Sequence, residues 1–155
     1  LKVKRRLIIA VLSFLLGMGS IEKNFKGWLE LKARLNSKEH KPPLVSERDI
    51  WWASIGANVG SEIDGKSELF SRPVIIFKKL SYKLYLAIPT TTKIKEGSWF
   101  VPFALGENME VACLHQAHSI DYRRLWSRLG TVDEDDFLRI KNEFTNLYIK
   151  NVPRS

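Results

Sequence analysis

The side chains best suited to acid–base or metal chemistry lie close together in this sequence. His115, His118 and Cys113 fall within one short segment, and Cys113 is the single cysteine of the 155 residues. One cysteine excludes a disulfide framework and a site built from several thiolates. Positions three apart on an extended segment point to opposite faces, so the two histidines are not predicted to share a metal ion. Cys113 lies in an apolar run, which predicts a buried, unreactive thiol, and no metal site is expected.

A second group of side chains could bind a polyanion. Seven basic residues occur between positions 66 and 95, namely Lys66, Arg72, Lys78, Lys79, Lys83, Lys93 and Lys95. The formal net charge of +8 is uneven, because residues 1–48 carry +7 and residues 49–155 only +1. The overall positive charge therefore does not indicate that the compact part of the chain, residues 49–155, binds a polyanion. Either a local patch binds the polyanion, or these residues are solvated strand and turn positions.

Four segments follow one another in an order that resembles the PemK/MazF toxins. They are DIWWASIGANVGSE at 49–62, SRPVIIF at 71–77, AIPTTTKIK at 87–95 and ACLHQAHSIDYRRL at 112–125. The resemblance covers residues 47–150, and the preceding KNFKGWLELKARLN resembles a leader found in one branch of the family. It implies a small SH3-like barrel that cleaves single-stranded RNA without a metal or cofactor and is inhibited by an antitoxin.

The resemblance also implies which side chains act on the RNA. Arg72 is expected to contact the scissile phosphate, Thr91 to donate a hydroxyl there, and Glu62 to serve in catalysis or base reading. Because RNA supplies its own 2′-OH as nucleophile, an acid–base pair and a cation suffice, and the products are a 2′,3′-cyclic phosphate and a 5′-OH. The expected substrate-binding residues are Ser61, Thr92, Lys93, His115 and Gln116. Taken singly, Arg72, Thr91 and Glu62 could also be ordinary surface, turn and loop residues.

Two histidines depart from the family pattern. His115 precedes Gln116 where many members carry an acidic or small residue, and His118 follows it where an arginine is common. A histidine can transfer protons near neutral pH, which makes His118 a candidate catalytic residue. Alternatively, the lost arginine weakens the phosphate clamp and leaves a weak or inactive enzyme.

The elements that must position these residues are short strands between two helices. Residues 21–35 have helical spacing after a candidate N-cap at Ser20, and a polar linker follows. DIWWASI, RPVIIFKKL, KLYLAIP, SWFVPFAL and MEVACLHQ are predicted strands, with a hairpin turn at 106–108 and a long loop at 57–71. SIDYRRLWSRLG is predicted to close with a short helix, and Asp133 caps the final one. This pattern predicts a mainly β fold, a small SH3-like β-barrel with a C-terminal helix and an N-terminal helical appendage.

The first seventeen residues have a basic start and a short apolar run. The run is too short to span a bilayer as a helix, which takes about 20 residues. Residues 1–17 are open to three interpretations. Translation begins at Met18 and the start codon was placed too early, or the segment is a secretory signal or anchor, or it is a native amphipathic extension. We therefore divide the chain into residues 1–17, a helical leader and linker at 18–48, and a barrel domain at 49–152.

The leading functional hypothesis is the endoribonuclease toxin of a type II toxin–antitoxin pair. The resemblance implies a cytoplasmic homodimer without stable membrane association, whose antitoxin occupies the RNA groove and carries the complex to operator DNA. The alternative is a catalytically inactive SH3-like module that binds RNA or a protein partner, which the near-neutral charge of residues 49–155 favours. An exported or membrane-tethered variant is favoured only by residues 1–17.

Overall fold

The computed structural model describes residues 22–150, in which seven strands lie between two helices along the chain. Helix α1 spans Phe25–Ser37 and helix α2 spans Glu134–Tyr148. The strands are β1 (Asp49–Ser54), β2 (Ser71–Lys79), β3 (Leu84–Thr91), β4 (Phe100–Leu105), β5 (Asn108–Cys113), β6 (His118–Asp121) and β7 (Leu125–Thr131). Two single 3-10 turns, Leu114–Gln116 and Tyr122–Arg124, flank β6. The segment 1–17, Met18 and Ser20 lie outside the described residues.

The strands form one antiparallel sheet in the order β4-β5-β3-β2-β1-β7, with β6 also paired to β3. Along one edge β3 pairs with β2, and along the other it pairs first with β6 and then with β5. Register shifts interrupt the β1–β7 and β2–β3 ladders, and such bulges increase the local twist. The predicted mainly β, SH3-like architecture with a helix at each end is confirmed.

Both faces of the central strands are buried, as their continuous apolar runs predict. Val74 and Ile76 of β2 contribute to one cluster, together with Tyr85 and Ile120. Ile75, between them, points to the other face and packs in a second cluster, whose further members include Ile88 of β3 and Phe137 and Ile140 of α2. Helix α2 therefore covers one face of the sheet. Its N-cap is Asp133, as predicted, since this side chain accepts a hydrogen bond from the backbone N–H of Asp135.

Two predicted elements differ from the structure. The N-terminal helix begins at Phe25 rather than near residue 21, because Asn24 is its N-cap and accepts a hydrogen bond from the N–H of Gly27 at 2.9 Å. The short helix predicted in SIDYRRLWSRLG is only the single turn Tyr122–Arg124. The residues after that turn extend as β7 because they pair with β1. Within residues 22–150, no helix is long and apolar enough to cross a membrane.

Candidate functional site

Arg72 and Thr91 lie on neighbouring strands and line one cavity of about 690 Å³. The β2–β3 register pairs Val74 with Pro89, and continuing it by two residues places Arg72 across from Thr91. Opposite residues of an antiparallel pair share one face, which is why both side chains reach the same space. Thr92, the next candidate along the chain, also lines this cavity. The structure thus places a guanidinium and two hydroxyl groups in the lining of one cavity.

The loop between β1 and β2, residues 55–70, holds the guanidinium of Arg72. The Nε of Arg72 donates a hydrogen bond to the backbone carbonyl of Asp64 in this loop. The Oδ1 of Asp64 in turn accepts from the N–H of Asn58 at 2.6 Å. Arg72 is half-buried, so the loop and the strand together restrict its rotamer. Such a restricted guanidinium can present its remaining N–H groups to an anion in a fixed geometry.

The hydroxyl oxygen of Thr91 is engaged by the turn that follows it. It accepts a hydrogen bond from the backbone N–H of Lys93 at 3.2 Å. A hydroxyl that accepts one bond can still donate its proton, which leaves Thr91 able to donate to an anion in the cavity. The side chain of Lys93 is exposed.

A buried carboxylate lies in the same cavity. Glu110 on β5 is only 8% exposed, and its Oε2 accepts a hydrogen bond from the Oγ1 of Thr90 at 3.1 Å. Glu110 was not among the residues predicted from the sequence. Its position becomes visible only from the strand pairing that sets Thr90 against Ala112, because no local motif marks an acid in a strand.

The walls of this cavity are largely apolar. Trp52, Trp126 and Leu129 line it and are 37%, 38% and 42% exposed. Of the seven basic residues between positions 66 and 95, Lys66 and Arg72 line the cavity. Lys78 instead pairs with Glu47 at 3.0 Å, so the predicted patch does not converge as a whole. The sequence analysis also missed the two tryptophans, whose exposure depends on which β1 and β7 positions face outwards.

Four of the other candidate residues line a second cavity, of about 390 Å³, whereas Ser61 and Lys93 line neither of the two cavities. The lining of the second cavity includes Glu62, His115, Gln116 and His118, together with side chains that the sequence did not suggest: Trp28, Lys32 and Arg124. Gln116 holds the 55–70 loop against this cavity with two hydrogen bonds. Its Oε1 accepts from the N–H of Ile63 at 2.9 Å, and its Nε2 donates to the carbonyl of Ser61 at 3.1 Å.

The two histidines line the same cavity, so the prediction that they face opposite ways is wrong. The 3-10 turn Leu114–Gln116 replaces the extended backbone on which that prediction rested. The Nδ1 of His118 lies 2.9 Å from the carbonyl of Gln116. Because a carbonyl only accepts, Nδ1 carries a proton, and Nε2 is the acceptor of the neutral ring.

His115 packs against two aromatic rings, with centroid distances of 5.7 Å to Trp99 and 5.1 Å to Phe100. His115 is exposed at its surface, but its packing against the two rings removes part of its hydration; this desolvation, and then the nearby charge of Lys95, lower the pKa of His115 below its usual value. The ring is therefore neutral at pH 7 and can accept a hydrogen bond. Cys113 is buried, as predicted, and burial raises the pKa of its thiol. Across residues 22–150, no three His, Cys, Asp or Glu side chains are grouped so that they could hold a metal ion.

Glu62 is exposed, and its carboxylate closes a local turn by accepting from the N–H of Val59 at 2.9 Å. Seven of the nine candidate residues therefore fall into two groups. Arg72, Thr91 and Thr92 face the larger cavity, whereas Glu62 and the segment around Gln116 face the smaller one. The 55–70 loop connects the groups, because it contributes lining residues to both cavities and holds Arg72 through Asp64.

Comparison with solved structures finds this fold among bacterial toxins. MazF from Deinococcus radiodurans is 20% identical with a TM-score of 0.57, and the match covers 68% of this chain and 96% of that chain. An endoribonuclease in complex with its cognate antitoxin from Mycobacterial species is 11% identical with a TM-score of 0.56, covering 71% and 100%. The MazF-mt6 toxin of Mycobacterium tuberculosis is 16% identical with a TM-score of 0.51, covering 65% and 96%. At these identities the likeness shows the fold.

No curated protein matches the chain significantly. The family profile described as PemK-like, MazF-like toxin of type II toxin-antitoxin system matches residues 46–148. This match spans well over half of the chain and contains all nine residues that were selected from the sequence. The chain belongs to the PemK-like, MazF-like toxin family of type II toxin–antitoxin systems.

Proposed function

We propose that this chain is the toxin of a type II toxin–antitoxin pair and that it cleaves single-stranded RNA without a metal ion. Members of this family are typically endoribonucleases. The observation that best supports the proposal is that Arg72 and Thr91 line one cavity, with the guanidinium held by the carbonyl of Asp64. A restricted cation beside a hydroxyl is what a reaction at a phosphodiester requires.

In the proposed reaction the 2′-OH of the RNA attacks the adjacent phosphorus and the bond to the 5′-oxygen breaks. A base removes the 2′ proton, an acid protonates the departing 5′-oxygen, and a 2′,3′-cyclic phosphate remains. Arg72 stabilises the extra negative charge on the phosphoryl oxygens, and Thr91 donates a hydrogen bond to one of them. Removing such a preorganised donor costs about 10²- to 10³-fold in rate.

Glu62 and His118 are the proposed acid–base pair. They line the smaller cavity, beside the loop that holds Arg72. An RNA strand laid across this loop would contact both cavities, with its phosphate at Arg72 and the neighbouring nucleotide at the smaller cavity. Ser61, Thr92, Lys93, His115 and Gln116 are the proposed contacts to that strand.

The proposed partners are a second copy of the chain and a cognate antitoxin. The endoribonuclease from Mycobacterial species was solved in complex with its cognate antitoxin, and MazF from Deinococcus radiodurans was also solved as a MazE–MazF complex. The apolar walls at Trp52, Trp126 and Leu129 suit the apolar side chains of an extended or helical antitoxin tail. Such a tail would exclude RNA from Arg72. We further propose that the pair acts in the cytoplasm and that the antitoxin carries it to operator DNA.

The proposal is tested by incubating the full chain with a long single-stranded RNA in the presence of EDTA. We expect cleavage that survives EDTA and leaves 2′,3′-cyclic phosphate and 5′-OH ends. Arg72→Ala should lower the rate by about 10²- to 10³-fold. Arg34→Ala, which removes an exposed arginine from α1, is the matched control and should cleave normally. Full cleavage and full growth arrest by Arg72→Ala would exclude Arg72 as the phosphate ligand.

A catalytically inactive module that binds RNA or a protein is the second candidate function. The observation that favours it is the division of the candidate residues between two cavities. Retained RNA binding without cleavage at any pH between about 5 and 9, the range over which histidine and carboxylate catalysis would appear, would establish it.

A further inference from the structure

We propose that the N-terminal leader, described here over residues 22–48, is part of the machinery that positions Arg72, and that Lys23 is the positioning residue. The inference rests on the proposed function, because it concerns the same site. Lys23 acts on Arg72 indirectly, because it bonds to the 55–70 loop and the loop bonds to Arg72. The family profile begins at residue 46, so α1 and Lys23 lie outside the region common to the family.

Lys23 is bonded to two points of the 55–70 loop. Its Nζ lies 2.9 Å from the Oδ2 of Asp64 and donates to the carbonyl of Asn58 at 2.6 Å. Asn58 and Asp64 are also joined to each other, since the Oδ1 of Asp64 accepts from the N–H of Asn58. The side chains of Lys23 and Asp64 are 28% and 35% exposed, so the ion pair is partly shielded from water. One ammonium group thus closes a ring of contacts across the loop.

Asp64 transmits this restraint to the site because its own carbonyl accepts from the Nε of Arg72. The next residue, Gly65, leaves little room for the backbone to move, since a Cβ there would lie 1.7 Å from the carbonyl oxygen of Phe70. The N–H of Gly65 is also bonded to the carbonyl of Gly56 at 2.8 Å. A change in the Asp64 side chain is therefore carried to its peptide group, and from there to Arg72.

Helix α1 is docked firmly enough to act as the fixed end of this chain of contacts. Trp28, Leu31 and Leu35 are buried in a cluster with Ala57 and Phe70 of the loop. The backbone of Gly56, at φ +104°, passes so close to Trp28 that a Cβ there would lie 2.5 Å from the indole ring.

The last turn of α1 and the linker after it are bonded to the turn Tyr122–Arg124. Arg123 donates to the carbonyl of Asn36 at 2.8 Å, and the hydroxyl of Tyr122 donates to the carbonyl of His40 at 2.9 Å. The leader is thus attached to the barrel through its loop contacts and again at the end of α1 and in the linker. It is an integral support of the loop rather than a tethered appendage.

The first test is the kinetics of RNA cleavage by Lys23→Met. Because Lys23 acts on the orientation of a group that contacts the transition state, we expect kcat to fall by about 10- to 100-fold with a smaller change in KM. Lys23→Arg, which keeps the charge and the donors, should restore most of the rate. Lys26→Met, an exposed lysine on α1, is the matched control and should cleave like the wild type. Equal kcat for Lys23→Met and Lys26→Met would overturn the inference.

A double-mutant cycle tests the route through Asp64. Asp64→Asn should lower kcat to a similar extent, and the double variant Lys23→Met/Asp64→Asn should be no slower than either single variant. Multiplied losses in the double variant would mean that the two residues act independently, and the proposed route would be wrong.

A spectroscopic measurement decides the inference even if the wild-type chain cuts no RNA. The Nε–H of Arg72 is hydrogen-bonded, so its proton should exchange slowly with water and be visible by ¹⁵N NMR. In Lys23→Met we expect this exchange to be faster by about tenfold, whereas it should be unchanged in Lys26→Met. Unchanged exchange in Lys23→Met would refute the role of Lys23. Absent cleavage by the wild type would instead refute the proposed function alone.

Discussion

The docking of the leader can be measured directly through Trp28. This side chain is only 8% exposed, and its ring lies 5.7 Å from that of Phe70 and under the guanidinium of Arg124 at 5.3 Å. Trp28→Ala removes these contacts and leaves a cavity between α1 and the 55–70 loop. Because Gly56 is held in a left-handed conformation against the indole, the loop has little freedom to collapse into that space.

The expected cost follows from this burial. Replacing a buried tryptophan by alanine lowers the free energy of unfolding by about 3–5 kcal/mol where the site cannot repack. The aromatic pair and the cation–π contact are included in that figure. Against a typical total of about 5–15 kcal/mol, this is a large fraction. For a chain of this size it corresponds to a fall in Tm of about 6–20 °C.

The assay is urea denaturation of both proteins followed by far-UV circular dichroism, which does not depend on the fluorophore removed. Leu29→Ala is the matched control, since Leu29 is the next residue of α1 and is 67% exposed. It should change the free energy of unfolding by less than about 0.5 kcal/mol. A loss below about 1 kcal/mol for Trp28→Ala would refute the docked leader and, with it, the support proposed for Arg72.

Three further predictions concern Thr90, His115 and Cys113. Thr90→Val should lower the free energy of unfolding, measured by urea denaturation, by about 1–3 kcal/mol, because the buried Glu110 loses its hydrogen-bond donor. An unchanged free energy of unfolding would mean that Glu110 is not buried as described. Desolvation and then the charge of Lys95 lower the pKa of His115, so an NMR titration should give this residue a pKa below the ordinary value of about 6.5. Lys95→Met should raise that pKa. The pKa of His115 is lower in the folded state than in the unfolded state, so protonation favours the unfolded state. The ring therefore does not change the free energy of unfolding above about pH 6.5 and lowers it as the pH falls below that value. A titration at the ordinary pKa would contradict the packing of His115. Cys113 should resist a thiol reagent at pH 8 in the native protein and react once unfolded, and rapid native labelling would contradict its burial.

Local patterns in the sequence were sufficient for the elements that depend on neighbouring residues alone. The alternation and apolar runs of β2 and β3 predict strands buried on both faces, and Gly106 between two apolar runs predicts the β4–β5 hairpin. Asp133 marks the start of α2 because an N-cap is a local hydrogen bond. Arg72 and Thr91 were selected differently, through the resemblance of several segments to one family, and they lie near the ends of two adjacent strands.

Other features were decided by contacts between distant parts of the chain. The segment after Asp121 has helical character in isolation, yet it forms β7 because pairing with β1 satisfies its backbone. Glu110 joined the site only because strand pairing brings β5 to the end of β3. His115 and His118 share a cavity because the backbone turns between them, which their spacing does not reveal.

The sequence by itself indicated the family and the first five strands, β1 to β5, and through the family resemblance it offered Arg72 and Thr91 as candidates. The division of the remaining candidates between two cavities, and the attachment of the leader to the 55–70 loop, were decided by the tertiary structure alone. Lys23 and Asp64 are forty-one positions apart in the sequence. No local pattern could pair them, because their attraction exists only once Trp28 has packed against Gly56 and Phe70 and brought the two charges within 2.9 Å.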